Sequence, residues 1–239
     1  MTDREYLEAL VAGEPDLVTA VAVLGRLEAK YGRPQARDGE RWDHDLIAQL
    51  VPRGASVLDL GCGDGALLER LIRERECRGQ GVDVDQEHIL RCVQRGVPVI
   101  QSDLDDEKLG FPDASYDYVV LEETLQTVRL PHEVLGMMLR IGRKGIVSFP
   151  NFGHWWIRAQ LLLEGRMPMS PRLNQGWHET TNIHLFTVRD FEDWCRAHGA
   201  VIHQRFAYAD GQVRLLVPGD NLMAEEALFV IGPADSNTS

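Results

Sequence analysis

The stretch Ser56-Val57-Leu58-Asp59-Leu60-Gly61-Cys62-Gly63-Asp64-Gly65-Ala66 decides the fold. Its first five residues read as a short apolar strand, and three alternating glycines follow at once. From Ala66 to Glu76 the leucines at 67, 68 and 71 and Ile72 return with helical spacing, so the turn joins a strand to a helix. Residues without side chains let the backbone turn sharply and approach a ligand closely, and the helix N-terminus that follows favours polar or anionic groups. A second strand, Gly79 to Val84, carries Asp83 at its end. That acid stands roughly 20 residues beyond Gly61, where a doubly wound fold sets a carboxylate against ribose hydroxyls.

The same rhythm continues outward. Gln86 to Arg95 is a helix stopped by Gly96, and Val97–Gln101, Tyr116–Leu121 and Lys144–Phe149 are strand-length apolar runs. Pro131 to Ile141, with proline at a helix start, lies between the last two. Arg189–His198 adds a helix, and Val201–Tyr208 and Glu226–Ile231 add two strands that resemble a hairpin end of the sheet. The expectation is an α/β domain over 41–233 with a seven-stranded, mostly parallel sheet and helices on both faces. Residues 150–188 are too long for an ordinary connection and read as an insertion. Residues 1–40 read as an N-terminal helical extension, with Asp16–Tyr31 carrying a near-heptad apolar stripe that predicts packing against this chain, a second copy or a partner. Residues 234–239 read as a flexible tail.

A nicotinamide-binding turn is written G-x-G-x-x-G, its glycines serving a pyrophosphate. Here the spacing is G-x-G-x-G, and Asp59 adds a carboxylate beside the loop, which suits a cationic ligand better. The segment Val57–Gly65 resembles motif I of class I methyltransferases, a Rossmann-like fold. Tyr116-Asp117-Tyr118-Val119-Val120 resembles that fold's fourth-strand motif. The resemblance implies S-adenosylmethionine or S-adenosylhomocysteine as cofactor. It implies a pocket built from Asp59, Gly61, Cys62, Gly63, Asp64, Gly65, Asp83, Val84, Asp103, Leu104 and Glu122, with Asp103 near the adenine amino group. Asp59 either bonds loop amides or faces the ligand's cation, and Asp64 either shapes the loop or meets the amino group. Cys62, without a base nearby in sequence, reads as a passive small residue.

A narrower likeness lies outside the loop. Arg41-Trp42-Asp43-His44-Asp45-Leu46-Ile47, Ser148-Phe149-Pro150-Asn151-Phe152-Gly153-His154-Trp155, Gly165-Arg166-Met167-Pro168 and Asn182-Ile183-His184-Leu185 together resemble the methionine-biosynthesis family MetW, over about Arg41 to Ile231. That resemblance implies a methyltransferase-fold protein that supports a homoserine O-acyltransferase, MetX. The rival is an independent small-molecule methyltransferase, with Glu122, Glu123, His154 or His184 orienting an acceptor. His178, Glu179 and His184 match no standard ligand spacing, so no metal is expected. Trp155 and Trp156 point in different directions on a helix, so one narrow stripe cannot bury both, and they serve equally as a lid or as interface anchors.

Composition narrows the classes further. With 25 Lys and Arg against 37 Asp and Glu in 239 residues, the formal charge is −12, which argues against a nucleic-acid partner. The four cysteines form no C-x-x-C pair, against a disulfide framework or a zinc site. No run approaches the length of a membrane helix, and Asp3, Glu5 and Glu8 occupy the place where a signal peptide carries positive charge. The expectation is a cytoplasmic protein.

Overall fold

The computed structural model describes residues 15–32, 41–105, 109–170 and 173–233. The tail expected at 234–239, and the parts of the extension at 1–14 and 33–40, lie outside these. Two helices precede the sheet, α1 (Pro15–Tyr31) and α2 (Trp42–Leu50). Then come β1 (Ser56–Leu60), α3 (Ala66–Arg75), β2 (Arg78–Asp83), α4 (Gln86–Gln94) and β3 (Val99–Gln101). β4 (Tyr116–Glu122), α5 (Pro131–Ile141) and β5 (Gly142–Pro150) complete the parallel part. After α6 (Trp155–Glu164) and α7 (Val188–Ala197), the chain ends in β6 (Val201–Ala209), β7 (Gln212–Leu215), α8 (Asp220–Met223) and β8 (Glu226–Gly232).

The sheet order is β3-β2-β1-β4-β5-β8-β6-β7. β1 pairs in parallel with both β2 and β4, so the direction of winding reverses beside it. In such sheets a crevice opens at the carboxyl ends of the strands at that point. β8 lies antiparallel between β5 and β6.

Eight strands stand where the sequence led us to expect seven. The extra one is β7, four residues that pair only with β6 at the sheet edge. Its turn is Asp210-Gly211, both with positive φ (51° and 74°), as a two-residue type I′ hairpin requires. Gln212-Val213-Arg214-Leu215 is too short and too mixed in polarity to announce a strand by itself. The Asp-Gly step was the readable signal.

Strand alternation divides the core between two faces. Leu58, Leu60, Val119, Leu121, Val147 and Phe149 pack with Val134, Leu135, Met138 and Ile141 of α5 and with Val188, Phe191 and Cys195 of α7. Val57, Val120 and Ile146 pack on the opposite face with Trp42 and Ile47 of α2 and Leu67, Leu68 and Leu71 of α3. Among the described residues no helix is long and apolar enough to cross a membrane.

α1 lies on α6 within the same chain. Leu24 and Leu27 meet Trp155, Trp156, Ala159 and Leu163, with Leu222 and Met223 of α8 closing the cluster. This corrects the expectation for the tryptophans: Trp155 is 2% exposed and Trp156 8%, so neither is available as an interface anchor. The stripe argument failed because α6 is covered from two directions, by α1 and by α8.

Candidate cofactor pocket

A cavity of about 850 Å³ opens at the carboxyl ends of β1, β2 and β4. Gly61, Cys62, Gly63 and Asp64 line it from the β1 turn. Asp83 and Val84 line it from β2, Asp103 and Leu104 from beyond β3, and Glu122 and Glu123 from the end of β4. Asp59 and Gly65 stand behind this surface and are not part of the lining.

Gly61 has φ +77°, and a Cβ there would lie 2.5 Å from Thr124 Oγ1, so the turn and the β4 loop meet at a distance only glycine allows. Gly63 also has positive φ (54°), but a Cβ would meet nothing within 4 Å because it would project into open space. Gly63→Val should therefore leave the sheet folded, with a modest strain penalty, and weaken cofactor binding at least tenfold. Circular dichroism and calorimetry on one sample separate the two effects, and global unfolding would make the glycine chiefly structural.

Asp83 organises one end of the pocket. Its Oδ2 accepts from the Gly63 amide at 2.8 Å and its Oδ1 from the Asp85 amide at 2.9 Å, with His88 Nδ1 at 3.2 Å. An ionised carboxylate has about four acceptor sites, which leaves capacity for a hydroxyl. Asp103 Oδ1 accepts from the Asp105 amide, and Asp105 accepts from Arg129 and Leu130, so this acidic loop is tied down before any ligand arrives. Asp64 is engaged by Arg95 at 2.7 Å and by the Ala66 amide, which favours its loop-shaping role.

Sequence reasoning missed most of the other end. Arg41 and His44 also line the cavity. The Arg41 guanidinium donates to Glu122, and its Nε donates to Asp43 at 3.3 Å; His44 Nε2 lies 3.0 Å from Glu122. Burial pushes the Glu122 carboxyl up to about 7, with His44 opposing the rise and Asp43 adding to it. Ligand atoms of Asp43, His44 and Glu122 lie within 4.8 Å of one another, a grouping that could hold a metal. Arg41 already supplies positive charge to both carboxylates, so the group reads as an ion-pair network. The signal was present in Arg41-Trp42-Asp43-His44, but its contact with Glu122 spans 81 residues.

Asp59 lies beneath the glycine turn, 1% exposed, and among the described residues neither of its oxygens has a hydrogen-bond partner. It does not bond loop amides. Burial first, then the charge of Glu122, holds its pKa well above the ordinary carboxylate range. Burial first, then the neighbouring Asp59, also raises the Cys62 thiol, which fits a passive residue.

Of the candidates for orienting an acceptor, Glu122 and Glu123 reach the pocket lining; Glu123 does so with φ +46°. His154 does not. It caps α6, with Nδ1 accepting from the Trp156 amide at 3.3 Å, and burial pushes it down to about 4, so its ring is neutral. His184 is also outside the lining, with Nε2 3.3 Å from the Arg129 carbonyl. The insertion instead forms a second cavity of about 780 Å³, walled by Met167, Met169, Leu173, Trp177, Ile183 and Leu185. Thr180 and Asn182 face this groove while Thr181 faces the first cavity, so the two share a wall.

Comparisons with known proteins follow the same lines. A family model described as methionine biosynthesis protein MetW matches residues 41–231. A protein of Rhodopirellula baltica, described as bifunctional methionine biosynthesis protein MetXA/MetW, is 38% identical over 199 residues, covering 78% of this chain and 32% of that protein. The chain thus spans about a third of that relative's length. Among solved structures, a TehB-like S-adenosylmethionine-dependent methyltransferase from Corynebacterium glutamicum superposes with a TM-score of 0.55 at 18% identity, covering 92% of this chain and 100% of that one. The [4+2]-cyclase SpnF superposes with a TM-score of 0.59 at 15% identity, covering 92% and 95%. These two likenesses establish the class I methyltransferase fold, and the cyclase illustrates that the fold alone does not fix a reaction.

Proposed function

We propose that this chain, which belongs to the MetW family of methionine-biosynthesis proteins, binds S-adenosylmethionine or S-adenosylhomocysteine in the Gly61–Glu123 pocket and supports a homoserine O-acyltransferase partner. The observation that carries the reading is the pairing of the family match with the pocket. The G-x-G-x-G turn is held to Asp83 by the Gly63 amide, leaving the turn open to a ligand on its glycine face. Asp83 would take the ribose hydroxyls, Asp103 and Leu104 the adenine, and the Arg41–Glu122 end the amino-acid portion. The partner is suggested by the Rhodopirellula baltica relative, whose description joins MetXA and MetW in one protein.

With Trp155 and Trp156 buried, the insertion offers its partner a different set of residues. Trp177 is 76% exposed, and Met167, Met169, Ile183 and Leu185 are exposed around it. An aromatic ringed by flexible apolar side chains is the composition of an interface anchor. Because the groove shares a wall with the pocket, ligand occupancy can alter its shape. The same proximity favours the rival reading, in which the groove seats a methyl acceptor.

One experiment separates the readings. The protein is added to a homoserine O-acyltransferase of the same organism, and acyl transfer and methyl release are followed separately with and without S-adenosylmethionine. Stimulated acyl transfer without methyl release is expected, and Trp177→Ala should lower affinity for the acyltransferase by about 2 kcal/mol or more. Methyl transfer to a small molecule, with no effect on the acyltransferase, would replace this reading with the rival one.

A further inference from the structure

The loop that follows β4 serves both cavities at once. Glu122, Glu123, Thr124, Thr127 and Val128 line the cofactor pocket. Thr124 also stands against the glycine turn, so close that a Cβ on Gly61 would lie 2.5 Å from its Oγ1. Gln126, in the midst of these residues, turns the other way. It is 4% exposed and outside the pocket lining, and its main-chain carbonyl accepts from the amides of Ile183 at 2.9 Å and His184 at 3.0 Å. The returning segment of the insertion thus hangs on one oxygen of the pocket loop. Along that segment Asn182, Ile183 and Leu185 wall the groove, while Thr181 reaches the pocket.

From this arrangement we propose that Gln126 is a positioning residue that couples the pocket to the groove. A ligand that settles the β4 loop also settles residues 181–185, so occupancy of one cavity firms a wall of the other. The proposal rests on the S-adenosylmethionine reading of the pocket and supplies a route for the regulation suggested there.

The loop is built to pass on such a constraint. Glu123 has φ +46°, a left-handed conformation that side-chain-bearing residues rarely adopt, so its neighbours must hold it. Its amide donates to the Ser148 carbonyl of β5 at 3.1 Å, and its carbonyl accepts from Gln126 Nε2 at 2.7 Å. Thr124 Oγ1 donates to the Glu122 carbonyl and Thr127 Oγ1 to the Thr124 carbonyl, both at 2.8 Å, which closes the rest of the loop. A ligand touching Glu123 or Thr124 therefore bears on a small ring of bonds whose far member is Gln126. The Gln126 carbonyl has two lone pairs, enough for both insertion amides, and the backbone at 126 sets the line along which the segment leaves. The donor end of the side chain fixes that backbone. Its Oε1 is buried and has no hydrogen-bond partner among the described residues. Gln126→Met matches the length and removes one donor together with one orphaned acceptor, so the variant should fold.

The test is amide hydrogen exchange by NMR on the full chain, with and without saturating S-adenosylhomocysteine, after calorimetry has shown binding. Exchange at Ile183 and His184 should slow roughly fivefold or more with ligand, the lower end of couplings between sites. Gln126→Met should bring that ratio to within about twofold of unity while the Gly63 amide, on the far side of the pocket, keeps its ligand-dependent protection. A merely structural glutamine would behave differently: its loss would speed exchange at both amides equally with and without ligand, leaving the ratio unchanged. Thr181→Ala, which removes the segment's own side chain from the pocket, should preserve the ratio at saturation. Unchanged exchange at Ile183 and His184 in the unmodified protein would overturn the proposal whether or not the variants fold. So would a ratio lost in Thr181→Ala and kept in Gln126→Met, which would make the coupling a direct contact. If calorimetry shows no binding by the unmodified protein, the pocket reading itself fails and this proposal goes with it.

Discussion

Trp155→Ala should lower the unfolding free energy by about 3–5 kcal/mol, the range for emptying a buried tryptophan site. The ring is 2% exposed and packs in the cluster that joins α1, α6 and α8. It stands edge-on to Trp156, with ring centroids 5.6 Å apart, so its removal also strips one face of that neighbour. Trp156 keeps its own attachment, Nε1 donating to the Met169 carbonyl at 3.3 Å. Urea unfolding measures the loss through the transition midpoint, with the slope unchanged. Where the variant remains folded, cofactor affinity should stay within about twofold, since neither tryptophan lines the pocket. Removal of residues 1–40 takes away Leu24 and Leu27 from the same cluster, so the two changes together should cost less than their sum. Full stability combined with a weakened acyltransferase complex would return Trp155 to the interface.

That tryptophan pair marks where the sequence stopped being readable. Local signals carried far: proline at a helix start placed α5 over Pro131–Ile141, and the apolar stripe from Asp16 to Tyr31 became α1. The G-x-G-x-G turn and the strand-ending Asp83 located one side of the pocket, because both belong to a single strand–helix–strand unit. What covers α6, however, is decided by helices far away in sequence, and no local pattern can report that. The same holds for Arg41 and His44, delivered to Glu122 by the packing of α2 beside β1 and β4. Asp59 was legible as an acid beside the loop, but its isolation was not. Whether a carboxylate finds a partner depends on its neighbours in three dimensions.

Asn151→Ala should destabilise the fold by roughly 3 kcal/mol or more, the sum of several buried polar groups left without partners. Asn151 belongs to the Ser148–Trp155 stretch that supports the family resemblance, and such a residue invites a catalytic role. The structure gives it another. The side chain is fully buried at the end of β5. Its Oδ1 accepts from the Gly153 amide at 2.9 Å and the Val188 amide at 3.3 Å, and its Nδ2 donates to the Ala224 carbonyl at 2.8 Å and the Asn221 carbonyl at 3.2 Å. One amide thus ties together the entry to α6, the first residue of α7 and the loop after α8, holding both ends of the insertion to the sheet. Alanine leaves the Gly153 and Val188 amides and the Ala224 carbonyl to find water inside a packed core. Asn151→Asp keeps the acceptor but loses both donors and buries a charge, so it should be no better tolerated. Chemical denaturation of the two variants provides the measurement, alongside cofactor titration below the transition. Native stability with lost cofactor or partner binding would show that the asparagine acts in function; lost stability with retained binding would show that this family stretch is conformational, fixing the insertion beside the pocket.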